Sequence, residues 1–182
     1  MKRLLYENIW NSLSAYNQMV FIAGPRQAGK TTFTQMLAEN YPNSIYFNWD
    51  VIENKNQLIS NPYFYESVNR QDASLPLVIF DELHKYSNWK NYIKGVYDRD
   101  KNNYKFIVSG SGRLDIYQRS GDSLAGRYLL FYLWPFTLAE LAGNNLQFND
   151  FMKNPLIIPE ASPKSREIWI NWQYSVDFQI PF

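Results

Sequence analysis

The 182-residue sequence contains no cysteine and a single histidine. Without thiols, disulfide bonds, thiolate zinc sites and cysteine nucleophiles are excluded. An excess of charge of one sign is also lacking, because 18 Lys and Arg stand against 17 Asp and Glu, for a net charge of +1. A broad basic surface for nucleic acid or for an anionic membrane is therefore not indicated, and a nucleic-acid partner would need a local patch.

Long apolar runs are missing as well. The longest, at 75–80 and 128–136, fall well short of the ~20 residues that a membrane helix needs, and the second contains Pro135. The N-terminus lacks the apolar core and cleavage site of a secretory leader. We therefore expect a protein of the cytoplasm that does not span a membrane.

The composition is that of an ordinary globular domain, with 46% hydrophobic and 19% charged residues. Apolar residues at four-residue spacing predict an amphipathic helix at the N-terminus. Strands are predicted at 19–23, 45–49, 77–80, 106–108 and 127–133, and further helices at 30–39, 62–70 and 89–98. This alternation predicts a three-layer α/β/α sandwich with a mainly parallel five-stranded sheet, whose ligand lies at the carboxyl ends of the strands.

The alternation ends near Gly143. We therefore predict a domain over 1–143 and a tail over 144–182, which has scattered prolines and an aromatic end. The start of a truncated further domain is an alternative interpretation of this tail.

Residues 24–31 read Gly-Pro-Arg-Gln-Ala-Gly-Lys-Thr, the GxxxxGK[ST] pattern of a phosphate-binding loop (P-loop). Glycines permit the backbone angles at which successive amides converge on phosphate oxygens, and the following helix directs its positive end at the same anion. Lys30 is predicted to bridge the β and γ phosphates, and the Thr31 hydroxyl to bind Mg²⁺. The predicted nucleotide-binding residues are Gly24, Pro25, Arg26, Gln27, Ala28, Gly29, Lys30, Thr31 and Thr32.

An acidic pair, Asp81 and Glu82, follows the buried strand at 77–80. Asp81 is predicted to orient Mg²⁺, as in a Walker B element. If the strand continued as an extended chain, Glu82 would point to the opposite side, and we assign it to polarising the attacking water. A solvated turn is the alternative.

The next strand ends in Ser109-Gly110-Ser111. A hydroxyl of Ser109 or Ser111 could bind the γ-phosphate or the attacking water, although small residues also simply form turns. For Asp50 we favour a helix N-cap over a contact with nucleotide. His84 is interpreted as a structural hydrogen-bonding residue, since no partner ligands are spaced around it.

These residues together resemble the prokaryotic AAA-type P-loop ATPases of the group that often carries a nuclease-like C-terminal domain. The resemblance covers 4–142. It also rests on Asp-Glu-Leu-His-Lys at 81–85 with Trp89, Lys94 and Asp98 downstream, on Ser-Leu-Ala-Gly-Arg at 123–127 and on Pro-Phe-Thr-Leu-Ala-Glu at 135–140. It implies the strand order 5-1-4-3-2, ATP and Mg²⁺ as cofactors, and Arg127 as a basic catalytic element from its own chain or a neighbour. An ordinary surface arginine is the alternative for Arg127.

The chain departs from the group's pattern because it stops at Phe182. We expect a fragment, a truncated gene product or a minimal ATPase with slow turnover in isolation.

The predicted function is Mg²⁺-dependent hydrolysis of ATP as a conformational switch, with an unknown protein client and with oligomerisation open. A nucleotide-dependent interaction module with little hydrolysis and a nucleic-acid-stimulated ATPase of DExH type are alternatives. A small-molecule kinase is a third, although Glu82 favours water as the acceptor.

Overall fold

The computed structural model describes residues 3–111, 124–136 and 140, so the predicted tail at 144–182 lies outside the described residues. The helices are α1 (Leu4–Leu13), α2 (Lys30–Glu39), α3 (Ile52–Ser60) and α4 (Trp89–Asp100). The strands are β1 (Met19–Ala23), β2 (Ser44–Asn48), β3 (Leu77–Asp81), β4 (Lys105–Ser109) and β5 (Tyr128–Tyr132). Short 3₁₀ helices lie at Phe64–Ser67 and Leu83–Lys85.

The five strands form one sheet in the order β2-β3-β4-β1-β5, and every neighbouring pair is parallel. The predicted order 5-1-4-3-2 is thereby confirmed. The register pairs Asp81 with both Asn48 and Ser109, and Ser109 with Ile22. The carboxyl ends of β1 to β4 therefore meet at one edge of the sheet, where the chain leaves β1 into the P-loop.

Helices cover both faces of this sheet. On one face, Phe21, Phe80 and Phe106 belong to a buried cluster with Trp89 and Ile93 of α4. Successive side chains of a strand point to opposite faces, so Phe131 of β5 lies on the other face from Leu130, which packs against that cluster. There Phe131 meets Phe33 of α2 edge to face, with ring centroids 6.5 Å apart. This confirms the α/β/α sandwich.

The helices are short, from nine residues in α3 to 12 in α4. Within the part of the chain that the structure describes, none is long and apolar enough to cross a bilayer. The predicted helix at 62–70 was wrong: it contains only the 3₁₀ turn Phe64–Ser67, and the helix of this region is α3 instead. The sequence pattern missed α3 because Leu58 is its one buried residue, while Ile52 and Ile59 are exposed.

The chain divides into two units, Ser12–Leu133 and a second one that joins Met1–Asn11 to Trp134–Phe182. In the second unit, Arg3 is only 4% exposed and donates to both carboxylate oxygens of Glu140 and to the Trp134 carbonyl. Its guanidinium lies over the rings of Tyr6 and Phe136. Glu140 of the Pro-Phe-Thr-Leu-Ala-Glu motif is thus the counter-ion of a buried arginine.

Candidate functional site: a phosphate-binding pocket at the carboxyl edge of the sheet

The P-loop has the backbone angles that its glycines were expected to supply. Gly24 has φ 151° and Gly29, the N-cap of α2, has φ 86°. At Gly24 the reason is also steric, because an added Cβ would lie 2.2 Å from the carbonyl oxygen of Leu133. Gln27 also has a positive φ, 61°, which sequence reasoning did not predict. The first amides of α2 have no partner within the helix and open onto the same loop.

Lys30 lies inside the loop, with its residue only 6% exposed. Its Nζ donates to the carbonyl oxygens of Gly24 and Pro25 at 2.9 and 2.6 Å. Burial lowers the pKa of Lys30, and the opposing effect of Glu82 and Asp81 does not cancel that shift. The lysine is therefore a desolvated cation held by neutral acceptors, which phosphate oxygens can replace.

Beneath the loop lies a cluster of hydroxyl groups around the buried Asp81, which we call the floor and define as Thr31, Tyr46, Asp81 and Ser109. Asp81 is fully buried and accepts from Thr31 Oγ1 at 2.7 Å, from Tyr46 Oη at 2.6 Å and from Ser109 Oγ. Burial, followed by the contact with Asp81, raises the pKa of Tyr46, so its hydroxyl stays a donor. The Thr31 to Asp81 bond joins the P-loop to the end of β3.

Glu82 reaches the pocket by a different backbone route from the one expected. The strand ends at Asp81, and Glu82 is left-handed, with φ 56° and ψ 19°, at the start of the 3₁₀ turn Leu83–Lys85. Its amide donates to the Ser109 carbonyl at 2.9 Å, which fixes this turn. The expectation of an extended Glu82 was therefore wrong, although its side chain does line the pocket.

At the open side of the pocket lies a charged group of three residues, which we call the rim and define as Asp50, Glu82 and Lys85. Lys85 Nζ lies 2.6 Å from Asp50 Oδ2 and 3.0 Å from Glu82 Oε2. Asp50 was predicted as a helix N-cap, but the N-cap of α3 is Val51 and the Asp50 carboxylate accepts from Lys85 instead. The rim thus links the connection after β2 to the connection after β3.

Loop, rim and helix α2 surround an open pocket of about 820 Å³. It is lined by Arg26, Gln27, Gly29, Lys30, Thr31, Thr32, Asn48, Asp50, Glu82, His84, Lys85 and Ser111. Of the predicted nucleotide-binding residues, Gly24, Pro25 and Ala28 are not among these lining residues. Gly24 and Pro25 instead supply the carbonyls that hold Lys30.

The two serines after β4 lie in different places. Ser109 is fully buried and does not line the pocket, because its hydroxyl is directed at Asp81 in the floor. Ser111 does line it, with Oγ 3.2 Å from Nε2 of His84. The geometry therefore favours Ser111 for a direct contact with phosphate or water and leaves Ser109 to hold Asp81.

Arg127 is not brought to this pocket by its own chain. It precedes β5, and its carbonyl accepts from the amide of Met19, at the amino end of β1. About 15 Å of strand separates that end from the P-loop. Its guanidinium donates to both oxygens of Asp98 at 2.8 and 3.1 Å. A catalytic role within its own subunit was therefore a wrong expectation, whereas a role in a neighbour's site stays a prediction.

Two residues of the site escaped sequence reasoning. Tyr46 belongs to an apolar strand pattern, and only the register of β2 beside β3 directs its hydroxyl to Asp81. The sequence contains one indication of the role of Lys85, because it lies three residues after Glu82, the spacing of neighbours on a helical turn. Its second partner, Asp50, depends on the packing of two connections that are distant in sequence.

A P-loop joined through Thr31 to the acidic end of a parallel strand defines a P-loop nucleotide-binding protein. A family model described as an AAA domain matches residues 16–142, and the chain belongs to this family. The resemblance stated from the sequence is thereby confirmed. No curated protein matches the sequence significantly.

The chain is also similar to solved structures, the first of which shows the same fold. AMPPCP-bound DnaA from Aquifex aeolicus is similar with a TM-score of 0.52 and 17% identity, over 97% of this chain and 62% of that chain. The Aeropyrum pernix ORC1 protein in complex with DNA gives 0.45 and 10%, over 68% and 41%. PCH-2 of C. elegans gives 0.46 and 14%, over 77% and 44%. The chain thus spans less than two thirds of each of these structures, and the likeness to DnaA concerns the fold alone.

Proposed function

We propose that this chain binds ATP with Mg²⁺, hydrolyses it to ADP and phosphate, and uses the cycle as a conformational switch. The observation that carries the proposal is the shared pocket of Lys30, Thr31 and Glu82, with Asp81 bonded to Thr31 beneath it. AMPPCP in the similar DnaA structure supports a triphosphate as the ligand.

The oxygen groups of the floor suit Mg²⁺. Thr31 can donate its proton to Asp81 and keep its oxygen lone pairs for the ion, while the buried carboxylate supplies negative charge behind it. Mg²⁺ favours such a small set of oxygen ligands together with phosphates and water. When bound, the ion neutralises charge on the β and γ phosphates.

The loop would bind the phosphates through its amides and through Lys30. On binding, Lys30 Nζ exchanges the carbonyls of Gly24 and Pro25 for phosphate oxygens, which are charged and therefore stronger acceptors. Because Lys30 is desolvated before the ligand arrives, little of this interaction is lost to water.

Glu82 is assigned to the hydrolytic step. Its carboxylate orients a water molecule opposite the bond between the γ-phosphorus and its bridging oxygen, and accepts a proton from that water. A new oxygen-phosphorus bond forms, the bridging bond breaks, and its electron pair leaves with ADP. The proton passes from Glu82 to the released phosphate, which restores the carboxylate.

Calorimetry and phosphate release test this assignment together. Glu82→Gln is expected to bind Mg²⁺-AMPPCP as the wild type does and to lose about 10² to 10⁴ in turnover, the usual contribution of a general base. Lys30→Ala is expected to lose both binding and turnover. Glu39→Gln, an exposed acid at the end of α2, is the matched control and should change neither.

Three results would contradict different parts of the proposal. Unchanged turnover in Glu82→Gln would remove the residue from the mechanism while leaving nucleotide binding intact. Folded wild-type protein that gives no heat with Mg²⁺-AMPPCP or Mg²⁺-ADP would refute the function itself. Tight binding without phosphate release would favour the nonhydrolysing interaction module.

A further inference from the structure

Lys85 is the positively charged residue of the rim, and it lies between two carboxylates that belong to different connections. Its Nζ contacts Asp50 Oδ2 at 2.6 Å and Glu82 Oε2 at 3.0 Å, and all three side chains line the P-loop pocket. Asp50 follows β2 and Glu82 follows β3. The rim is thus closed by one cation shared between two connections.

This shared cation is charged and exchangeable. Burial acts to lower the pKa of Lys85, but its hydrogen bonds to Asp50 and Glu82 outweigh burial and raise the pKa. The side chains of Lys85 and Asp50 are 41% and 52% exposed, so water screens their ion pair and either partner is released at little cost. A better anion in the same pocket can therefore take the lysine.

The anion closest to the rim is the terminal phosphate of a nucleoside triphosphate, a placement that rests on the proposed function. Glu82 is assigned to the water beside that phosphate, and Lys85 Nζ is one hydrogen bond away from Glu82. A diphosphate ends at the loop and carries no group to this position. The pocket therefore offers Lys85 a new partner with ATP and none with ADP.

We propose that Lys85 is a specificity-determining residue that recognises the third phosphate by exchanging Asp50 for it. The exchange leaves Asp50 without its cation and so removes the ion pair that joins the β2 connection to the β3 connection at the rim. The rim then differs between the ATP and ADP states, and Lys85 is the residue that makes the difference.

Calorimetry with Mg²⁺-AMPPCP and with Mg²⁺-ADP measures this directly. Lys85→Met should weaken AMPPCP binding about tenfold, the effect of losing one hydrogen bond to a charged group, and leave ADP binding unchanged. Lys85→Arg should keep most of the preference for the triphosphate. Asp50→Asn removes the competing carboxylate and should strengthen AMPPCP binding without changing ADP binding.

The controls distinguish a failure of this inference from a failure of the proposed function. Lys94→Met, a lysine of α4 outside the pocket lining, should bind both nucleotides as the wild type does. If Lys85→Met weakens both nucleotides equally or neither, the role of Lys85 is refuted, while wild-type binding and its loss in Lys30→Ala keep the proposed function. If the folded wild type binds neither nucleotide, both are refuted.

Discussion

The floor and the rim of the pocket meet at two adjacent carboxylates, Asp81 and Glu82, yet they are built by opposite means. Asp81 is fully buried and accepts from three hydroxyl groups on three different elements. Glu82 lies in a left-handed conformation after the end of the strand and shares a partly exposed lysine with Asp50. Packing and hydrogen bonds fix the floor, whereas screened charges hold the rim.

This difference suits the separate tasks that we propose for the two regions. An ion-binding group must not move, and a buried carboxylate with several hydrogen-bond donors is destabilised if any one donor is removed. A group that responds to the third phosphate must change partners, which is possible only where the interactions are weak. Variants that act on packing and variants that act on charge should therefore behave differently.

The largest effect is expected where packing is tightest, at Gly24. Gly24→Ala places a Cβ 2.2 Å from the backbone oxygen of Leu133 at a φ of 151°. A backbone atom cannot rotate away, so we expect a loss on the order of 3 kcal/mol in the free energy of unfolding. Urea denaturation measures the loss.

Gly95→Ala in α4 is the matched control. Nothing lies within 4 Å of its added Cβ, and the position is helical. Alanine should therefore stabilise the protein by about 0.5 to 1 kcal/mol. Equal effects at the two glycines would show that the close approach of Gly24 to Leu133 does not constrain the loop.

The parts of the site that could be predicted from the sequence are those fixed by local pattern. Strands β1 and β3 are buried along their whole length, so they stand out as apolar runs, and the P-loop and Asp81 adjoin their ends. The position of Arg127 was missed because a motif does not say which end of a strand reaches the ligand. The link from Lys85 to Asp50 was missed because it depends on how two loops pack.

A smaller effect is expected from Tyr46→Phe, which removes one hydroxyl from the floor. Asp81 loses the donor at 2.6 Å and is less firmly held for Mg²⁺, so turnover should fall about tenfold and the Mg²⁺ requirement should rise. Turnover measured over a Mg²⁺ titration tests this. Tyr16→Phe, at a side chain 62% exposed, should change neither quantity.

Salt concentration provides a further test of the difference between the floor and the rim. The Debye length falls from ~10 Å at 0.1 M to ~3 Å at 1 M salt, which screens exposed charges and leaves buried bonds nearly unaffected. The relative loss of turnover in Tyr46→Phe should therefore persist at high salt, while the loss of AMPPCP binding in Lys85→Met should shrink. A Tyr46→Phe defect that disappears with salt would contradict a floor held by hydrogen bonds to a buried carboxylate.

The smallest effect is expected in the pH dependence of stability at Lys30, which lies between floor and rim. Burial lowers its pKa in the folded state, so the unfolded chain holds the proton more tightly. The wild type should therefore gain stability as the pH rises through the folded pKa towards about 10.5, the ordinary value for lysine. Lys30→Met has no such proton and should lack this gain.

Urea denaturation at neutral pH and near pH 10 compares the wild type with Lys30→Met and Lys30→Arg. The advantage of the methionine variant over the wild type should be largest at neutral pH and should diminish as the lysine loses its charge. Arginine stays protonated throughout, so its stability relative to methionine should not change. If the difference in stability between the wild type and Lys30→Met did not change with pH, the loop carbonyls would offset the cost of burying the charge. The ligand-free protein would then bear no electrostatic penalty for a cation placed to receive phosphate.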